Sequence, residues 1–526
     1  MSDSHHEQYE NLSDKQKNRT IWSVIMASSL GTLIEWYDFY IFGSLAIVLA
    51  TKFFPADNPT AAFLSTLATF AAGFVVRPFG ALFFGRLGDL IGRKYTFLVT
   101  LLIMGFSTFL IGCIPSYETI GFMAPVLVLI LRLLQGLALG GEYGGAATYV
   151  AEYAQPGRRG YWTSWIQTTA TAGLFISLIV ILITKTSLST EEFDNWGWRV
   201  PFWISILMVI VSYFIRKNMK ESPLFAKAKS EGKTSTNPLK ESFGNRFNFK
   251  FVLLALFGAA MGQGVIWYTG QFYAMSFMQK VMNIDTTQVD SLMAIGLFLG
   301  TPFFVFFGWL SDKVGRKAVM MTGMLIAILA YRPIYSAMFN SVDVAKKEVS
   351  ADGITEKRTV KVHDKIAADS LITFHKEIAY TDGTLMKSDS IIHWSAAGPV
   401  MKDGKIEEPK VTKSVKINDD TKWYLVFLVF IQVIFVTMVY GPIAAFLVEM
   451  FPVRIRYTSM SLPYHIGNGV FGGLLPAVAT YLVTTGKDAG HEGWYLEGLW
   501  YPIGVAAVCL VIGMIYIKNK NQNIHD

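Results

Sequence analysis

Cysteine is nearly absent: the 526 residues contain only Cys113 and Cys509, each inside an apolar stretch. Two isolated thiols exclude a disulfide-stapled scaffold and a cysteine-ligated metal centre, and they read as small buried apolar side chains. Charge is scarce as well. Only 16% of residues are charged while 52% are hydrophobic, against roughly 25% charged in a soluble domain, so polar surface is too limited for a soluble protein. The chain reads as an integral membrane protein. No GxSxG, HExxH or GxxxxGK[ST] run occurs in a suitable context, which argues against a membrane enzyme and against ATP-driven pumping by this chain. The first 20 residues are polar, and the apolar stretch after them is too long for a signal-peptide core and lacks a small-residue cleavage pattern. The amino terminus is expected to be retained.

What is present is a series of apolar runs of about membrane-spanning length. Twelve candidates lie near 22–49, 62–84, 96–114, 123–145, 161–184, 200–216, 250–273, 289–311, 318–339, 422–448, 458–484 and 498–517. Lys and Arg concentrate in the loops on the side of the amino terminus. By the positive-inside rule both termini are cytoplasmic. The net charge of +7 then faces anionic lipid and gives no reason to invoke nucleic acid. The expected organisation is a tail at 1–21, a six-helix bundle at 22–216, a cytoplasmic linker at 217–249, a second bundle from 250–339 and 422–517, and a tail at 518–526.

One sequence occurs twice. GRLGDLIGRK, Gly85 to Lys94, returns as GWLSDKVGRK, Gly308 to Lys317, 223 residues later. Two copies of one helical unit are the architecture of a transporter. The repeat also measures an insertion, because 63 residues separate Asp89 from Glu152 whereas 137 separate Asp312 from the matching Glu449. The excess of about 74 falls in 340–421, a polar stretch expected on the extracytoplasmic side. Its Asp-Gly pairs at 352–353, 382–383 and 403–404, with alternation at Val360, Val362 and Val411 to Ile417, predict a small β-rich domain. It is either a substrate-capture or partner-contact element or simply a tolerated insertion.

In the two repeated loops, Gly permits close backbone approach, and Asp with the basic pair can form ion pairs that lock one state and break in the other. Gly85, Asp89, Gly92, Arg93 and Lys94, with Gly308, Asp312, Gly315, Arg316 and Lys317, are therefore candidate gating residues, together with Glu152 and Glu449. Charge placement alone explains the basic residues but not the fixed Asp and Gly positions.

These loops resemble the signature loop of the major facilitator superfamily. GTLIEWYDFYIFG (Gly31 to Gly43), RPFGALFFGRLGDLIGRK (Arg77 to Lys94), RLLQGLALGGEYGGA (Arg132 to Ala146), ESPLF (Glu221 to Phe225) and VEMFPVRIRYTSMSLPYHIGNGVFGG (Val448 to Gly473) are similar to its metabolite:proton symporter branch. The resemblance implies an all-α membrane fold of twelve helices in two pseudo-symmetric bundles, alternating access, and proton-coupled uptake of organic acids or zwitterions. It implies no cofactor beyond the proton gradient, a bacterial inner-membrane location and function as a monomer. A membrane solute sensor is the competing class, but the tail of about nine residues and the linker of about 33 leave little room for a signalling domain.

Ionisable residues inside apolar spans are costly and face a cavity or a partner. Glu35 and Asp38, three apart, share a helix face past the midplane, and Arg132 reaches similar depth from the opposite end of its helix. One carboxylate beside a guanidinium stays ionised while a second in low dielectric can take up a proton. Glu35 and Asp38 are thus candidate proton-coupling residues, or else members of a structural ion-pair network. Arg77 lies shallower, at a substrate-facing or inner-gate position. Glu142, between Gly140-Gly141 and Gly144-Gly145, anchors packing or the inner gate. Tyr37, Arg132 and Gln135 complete the candidate substrate set of the first half. In the second half Gln263, Trp267, Tyr268 and Gln271 line a cavity or serve packing, and His465 is a proton relay, an anion contact or a structural histidine. Arg332 stands outside this pattern and is expected to snorkel towards the insert.

Overall fold

Ser13 opens the first helix through a capping box: the Gln16 N–H donates to its hydroxyl and the Ser13 N–H donates to the Gln16 side chain. That helix, α1, runs Asp14–Ser44. In this computed structural model the described residues are 13–518 apart from 55–64, 67–68, 70–71, 156, 218, 363–369, 396–397, 400, 403–404 and 407–408. The major helices that follow are α2 (Arg77–Ile91), α3 (Arg93–Ile111), α4 (Met123–Tyr153), α5 (Arg159–Ser187), α6 (Gly197–Lys217), α7 (Arg246–Val281), α8 (Thr286–Val314), α9 (Arg316–Ser341), α10 (Asp419–Glu449), α11 (Val453–Asp488) and α12 (Trp494–Tyr516). Among the described residues ten of them, α3 to α12, are long and apolar enough to cross a membrane. Part of the second expected span, 62–84, lies outside the described residues, at 62–64, 67–68 and 70–71.

Several helices outrun their hydropathy. α4 and α7 extend beyond the apolar stretches at 123–145 and 250–273, and α7 contains three π-helical segments, Leu256–Ala260, Thr269–Tyr273 and Phe277–Val281. α11 carries another at Gly467–Gly472. Such segments widen a helix locally and expose it to rearrangement.

The repeated loops owe their glycines to backbone geometry. Gly92 between α2 and α3 has φ +128°, and its counterpart Gly315 between α8 and α9 has φ +99°. Side chains rarely adopt either conformation. The other repeated pair acts by close approach: a Cβ on Gly85 would lie 2.9 Å from Thr458 Cα, and one on Gly308 would lie 2.4 Å from Ser164 Oγ. α2 thereby crosses α11, and α8 crosses α5, at backbone distance.

Buried apolar side chains separate by half. One large cluster is drawn from residues 252–517 with Tyr143, Ala147 and Ala151 added, while three smaller clusters lie within 21–209. Between α9 and α10 the chain forms an antiparallel sheet in the order β1 (Val349–Val362), β2 (Ser370–Tyr380), β3 (Leu385–Ser395) and β4 (Lys410–Lys416), with Gly398–Pro399 also paired to β3. Strand alternation was therefore a sound guide, but Asp-Gly was a poorer one. Asp382–Gly383 makes the β2–β3 turn, whereas 352–353 sits inside β1 at an irregular register, and 403–404 lies outside the described residues. The sheet is tied to the α7–α8 connection, where the Val415 N–H donates to Asn283 O and the Asp285 N–H donates to Val415 O.

Gly92→Ala should destabilise the protein by about 1–3 kcal/mol, because an alanine must enter a glycine-only backbone region and its Cβ would lie 2.2 Å from Glu221 Oε2. Gly43→Ala in α1, where nothing lies within 4 Å, should match or exceed the wild type. Thermal unfolding of the two variants in detergent checks the difference.

Candidate substrate and gating site

Two arginine–carboxylate pairs sit side by side in the first half. Asp38 on α1 takes the Arg132 guanidinium of α4 at 2.9 Å and the Gln135 amide at 3.0 Å. Gln135 also accepts from Arg132 at 2.8 Å and donates to Thr108 on α3 at 2.7 Å. This compact network occupies both carboxylate oxygens of Asp38 and joins three helices. Glu35, one turn earlier, is held more loosely, by Arg77 Nη1 at 3.2 Å. The Arg77 side chain is 15% exposed against 5% for Arg132, so Arg77 is the more accessible of the two guanidiniums.

The second half presents aromatic and orphaned polar groups at this level. Trp36 beside Glu35 meets Trp267 of α7 with ring centroids 5.0 Å apart, and Trp267 also neighbours Tyr268 at 4.9 Å and Tyr440 at 6.4 Å. Tyr143 of α4 stacks on Tyr464 of α11 at 3.8 Å, and the Tyr464 and Tyr440 hydroxyls are 2.7 Å apart. His465 is buried, with its Nε2 unpartnered among the described residues; Trp267 Nε1 is likewise buried and unpartnered. Buried polar atoms normally find partners, so the unpaired His465 and Trp267 nitrogens are candidate ligand contacts.

Some predicted residues lie elsewhere. Tyr37 is fully buried in the first-half core, and its hydroxyl donates to Pro201 O at 2.6 Å. It packs α1 on α6 because the EWYD segment turns it to the face opposite the pairs. Glu142 binds Arg216 at 2.5 Å and accepts from Thr100 at 2.8 Å, so it fastens α4 to α6 and α3 inside one half. Gln263 forms a reciprocal amide pair with Asn468, at 3.1 and 3.0 Å, and Gln271 is buried. Arg332 faces Trp500 of α12, its guanidinium carbon 4.6 Å from the ring centroid, rather than the insert.

The repeated loops clasp the opposite half. Asp89 accepts the Tyr457 and Thr458 N–H groups at 3.3 and 2.8 Å and the Thr458 hydroxyl at 2.7 Å, all from α11. Its counterpart Asp312 accepts the Gly160 and Tyr161 N–H groups of α5 at 2.9 and 2.7 Å. A carboxylate on the first N–H groups of a helix satisfies donors that have no partner within the helix. Each Asp is held by its own loop arginine, Arg93 at 2.7 Å and Arg316 at 2.6 Å. Glu449 pairs with Arg316 at 3.1 Å, while Glu152 lies 3.5 Å from Arg93 and crosses to Arg456 at 3.1 Å. Lys317 stays in its own half, donating to Met514 O and Ile517 O. Lys94 contributes its N–H to Glu221, which also accepts from Arg93 N. Burial lifts the Glu221 carboxyl above its ordinary range, against the opposing pull of the Ser222 N–H and the Arg93 guanidinium.

The helix starts that receive the two aspartates escaped the sequence reading. A signal existed: Pro156, Arg158 and Tyr161 recur as Pro452, Arg454 and Tyr457 with the same spacing, shortly after Glu152 and Glu449. Arg216 was hidden as a last-turn basic residue, and Trp36 lay inside a motif read for its acids and for Tyr37.

Known proteins match along the chain. Residues 23–248 match the family described as "Sugar (and other) transporter". The alpha-ketoglutarate permease of Escherichia coli K12 is 28% identical over 98% of both chains, and the citrate-proton symporter of Salmonella typhi is 28% identical over 90% of both. The proline/betaine transporter of Salmonella typhimurium is 33% identical over 95% of this chain and 84% of its own. Among solved structures, the major facilitator superfamily proton:xylose symporter XylE superposes with a TM-score of 0.62 over 95% of each chain at 16% identity, a likeness of fold.

Asp89→Asn should loosen the clasp by about 2 kcal/mol, shifting the closed-to-open ratio about thirtyfold. Spin labels at the exposed positions Ile91 and Arg454 should then report longer separations; an unchanged distance distribution would count against the clasp.

Proposed function

The chain belongs to the major facilitator superfamily, and from that membership we propose that it carries a small organic anion, together with a proton, across a bacterial inner membrane by alternating access. Twelve helices in two bundles, 22–216 and 250–517 without the insert, rock about the central pairs, with both termini cytoplasmic and the sheet outside. One chain contains both the site and the gate, so the monomer suffices. The carrier needs no cofactor, because the proton gradient drives it.

The observation that carries this reading is the loose Glu35–Arg77 pair. When Glu35 takes a proton, Arg77 loses its counter-charge and turns to a substrate carboxylate, with which it can form a two-pronged contact. His465 Nε2 and Trp267 Nε1 stand ready as further polar partners. When Glu35 releases the proton, its carboxylate competes for Arg77 and expels the anion. Binding of proton and substrate are thereby linked, which is the minimum for symport. Asp38 and Arg132 keep their mutual bonds throughout and hold α1 against α4.

A second reading has a specific support. Trp36, Trp267, Tyr268 and Tyr440 can receive an alkylammonium by cation–π attraction, so a zwitterion with its carboxylate on Arg77 is the alternative cargo. A proteoliposome counterflow panel of dicarboxylates, tricarboxylates, betaines and sugars separates the two; absence of exchange with every member would overturn the carrier itself.

Glu35→Gln should abolish pH-driven accumulation while counterflow persists, and accumulation at the wild-type level would remove Glu35 from the coupling step. Asp38→Asn differs, because it strands the Arg132 guanidinium in the interior at a cost of about 3–5 kcal/mol. Its signature is a reduced yield of folded protein in fluorescence-detected size exclusion.

A further inference from the structure

Arg332 stands apart from the other membrane-embedded arginines. Arg77, Arg132 and Arg216 each hold a carboxylate within the protein. Arg332 faces no carboxylate among the described residues, and its Nη1 is buried without a hydrogen-bond partner. It lies nine residues before the end of α9 at Ser341, about 13 Å below that end. With a hydrocarbon layer of about 30 Å and a helix of 26 residues, this places its Cα several ångströms inside the apolar zone of the leaflet nearest the insert. An uncompensated guanidinium at that depth is costly, and snorkelling alone leaves it without a counter-charge.

The surroundings are built to supply one from outside the protein. Trp500 of α12 carries the guanidinium on its ring and is itself 53% exposed, and Leu329, three residues before Arg332 on α9, is exposed as well. A polar ladder climbs from Arg332 towards the membrane surface at helical spacing. Ser336 follows at four residues, its hydroxyl 3.5 Å from that of Tyr495 on α12, and Asn340 follows at eight, donating to Ser336 at 3.3 Å. Lys346 closes the ladder with its Nζ 3.5 Å from Asn340. Apolar flanks, a cation at the hydrocarbon edge and hydroxyls above it match a phospholipid: acyl chains along the flanks, a phosphodiester at Arg332 and a headgroup at Ser336 and Tyr495.

We propose that the α9–α12 groove binds the phosphodiester headgroup of a phospholipid from the insert-side leaflet, with Arg332 stacked on Trp500 as its anchor. The lipid supplies the missing negative charge and fastens two helices that lie away from the Glu35–Arg77 site. Transport chemistry does not require Arg332, so the site is independent of the proposed function.

The test uses the full chain, delipidated in a mild detergent. Phosphatidylglycerol and phosphatidylethanolamine should each raise its melting temperature above the value with diacylglycerol of the same chains, and inorganic phosphate should not. Native mass spectrometry should show phospholipid retained by the wild type and its occupancy reduced about tenfold or more in Arg332→Gln, the scale of a lost charged hydrogen bond. Arg332→Lys should retain part of it, and Trp500→Leu should weaken it if Arg332→Gln does not fold. Equal stabilisation by diacylglycerol, equal retention in the variants, or full replacement of the lipid by inorganic phosphate would each overturn the assignment.

Discussion

Everything at the closed end rests on a carboxylate set against the unsatisfied N–H groups at the start of a facing helix. Asp89 on α11 and Asp312 on α5 do this twice, with the halves exchanged. The bond is strong in the dry contact and forms only when the halves meet, so it stabilises one state without weighing on the other. Because its acceptor is a side chain and its donors are backbone, it demands little of the receiving sequence. It demands much of the donating loop, which must turn sharply at Gly92 or Gly315 and approach closely at Gly85 or Gly308. Arg93 and Arg316 then hold the aspartates in place and aimed.

The interior obeys the same rule with different hardware. Buried charge is tolerated where it is paired, and the pairs differ in how firmly. Asp38 is hydrogen-bonded to Arg132 and Gln135, which also bond each other, whereas among the described residues Glu35 is ion-paired with Arg77 alone. Firm pairs hold helices together. A loose pair next to orphaned polar atoms on the other half is where occupancy can change.

How much of this could be read from the residues depended on whether a signal was local. Ten of the twelve expected spans correspond to long apolar helices among the described residues, and the duplicated loop was visible because its constraint is a backbone angle that only glycine meets. The insert showed as an arithmetic excess, and its strands as alternation at Val360, Val362 and Val411. Pairing across the fold was not local. Depth along a helix placed Glu35, Asp38 and Arg132 at one level but set Arg77 wrongly below them, whereas Arg77 reaches Glu35 and Arg132 pairs with Asp38. Nor could it turn Tyr37 to the wrong face, or send Glu142 to Arg216, since rotation about the helix axis depends on partners far away in sequence. The receiving helix starts were the most instructive loss, because a weaker repeat around Tyr161 and Tyr457 marked them.

The bonds joining Val415 to Asn283 and Asp285 make the sheet an extension of the second half's frame rather than a pendant loop. Its β2 and β3 strands of 11 residues reach about 36 Å. An arm of that length converts each degree of rotation at its root into about 0.6 Å of travel at its tip. Under the proposed alternating access the insert is a built-in pointer on which a small rotation becomes a readable sweep.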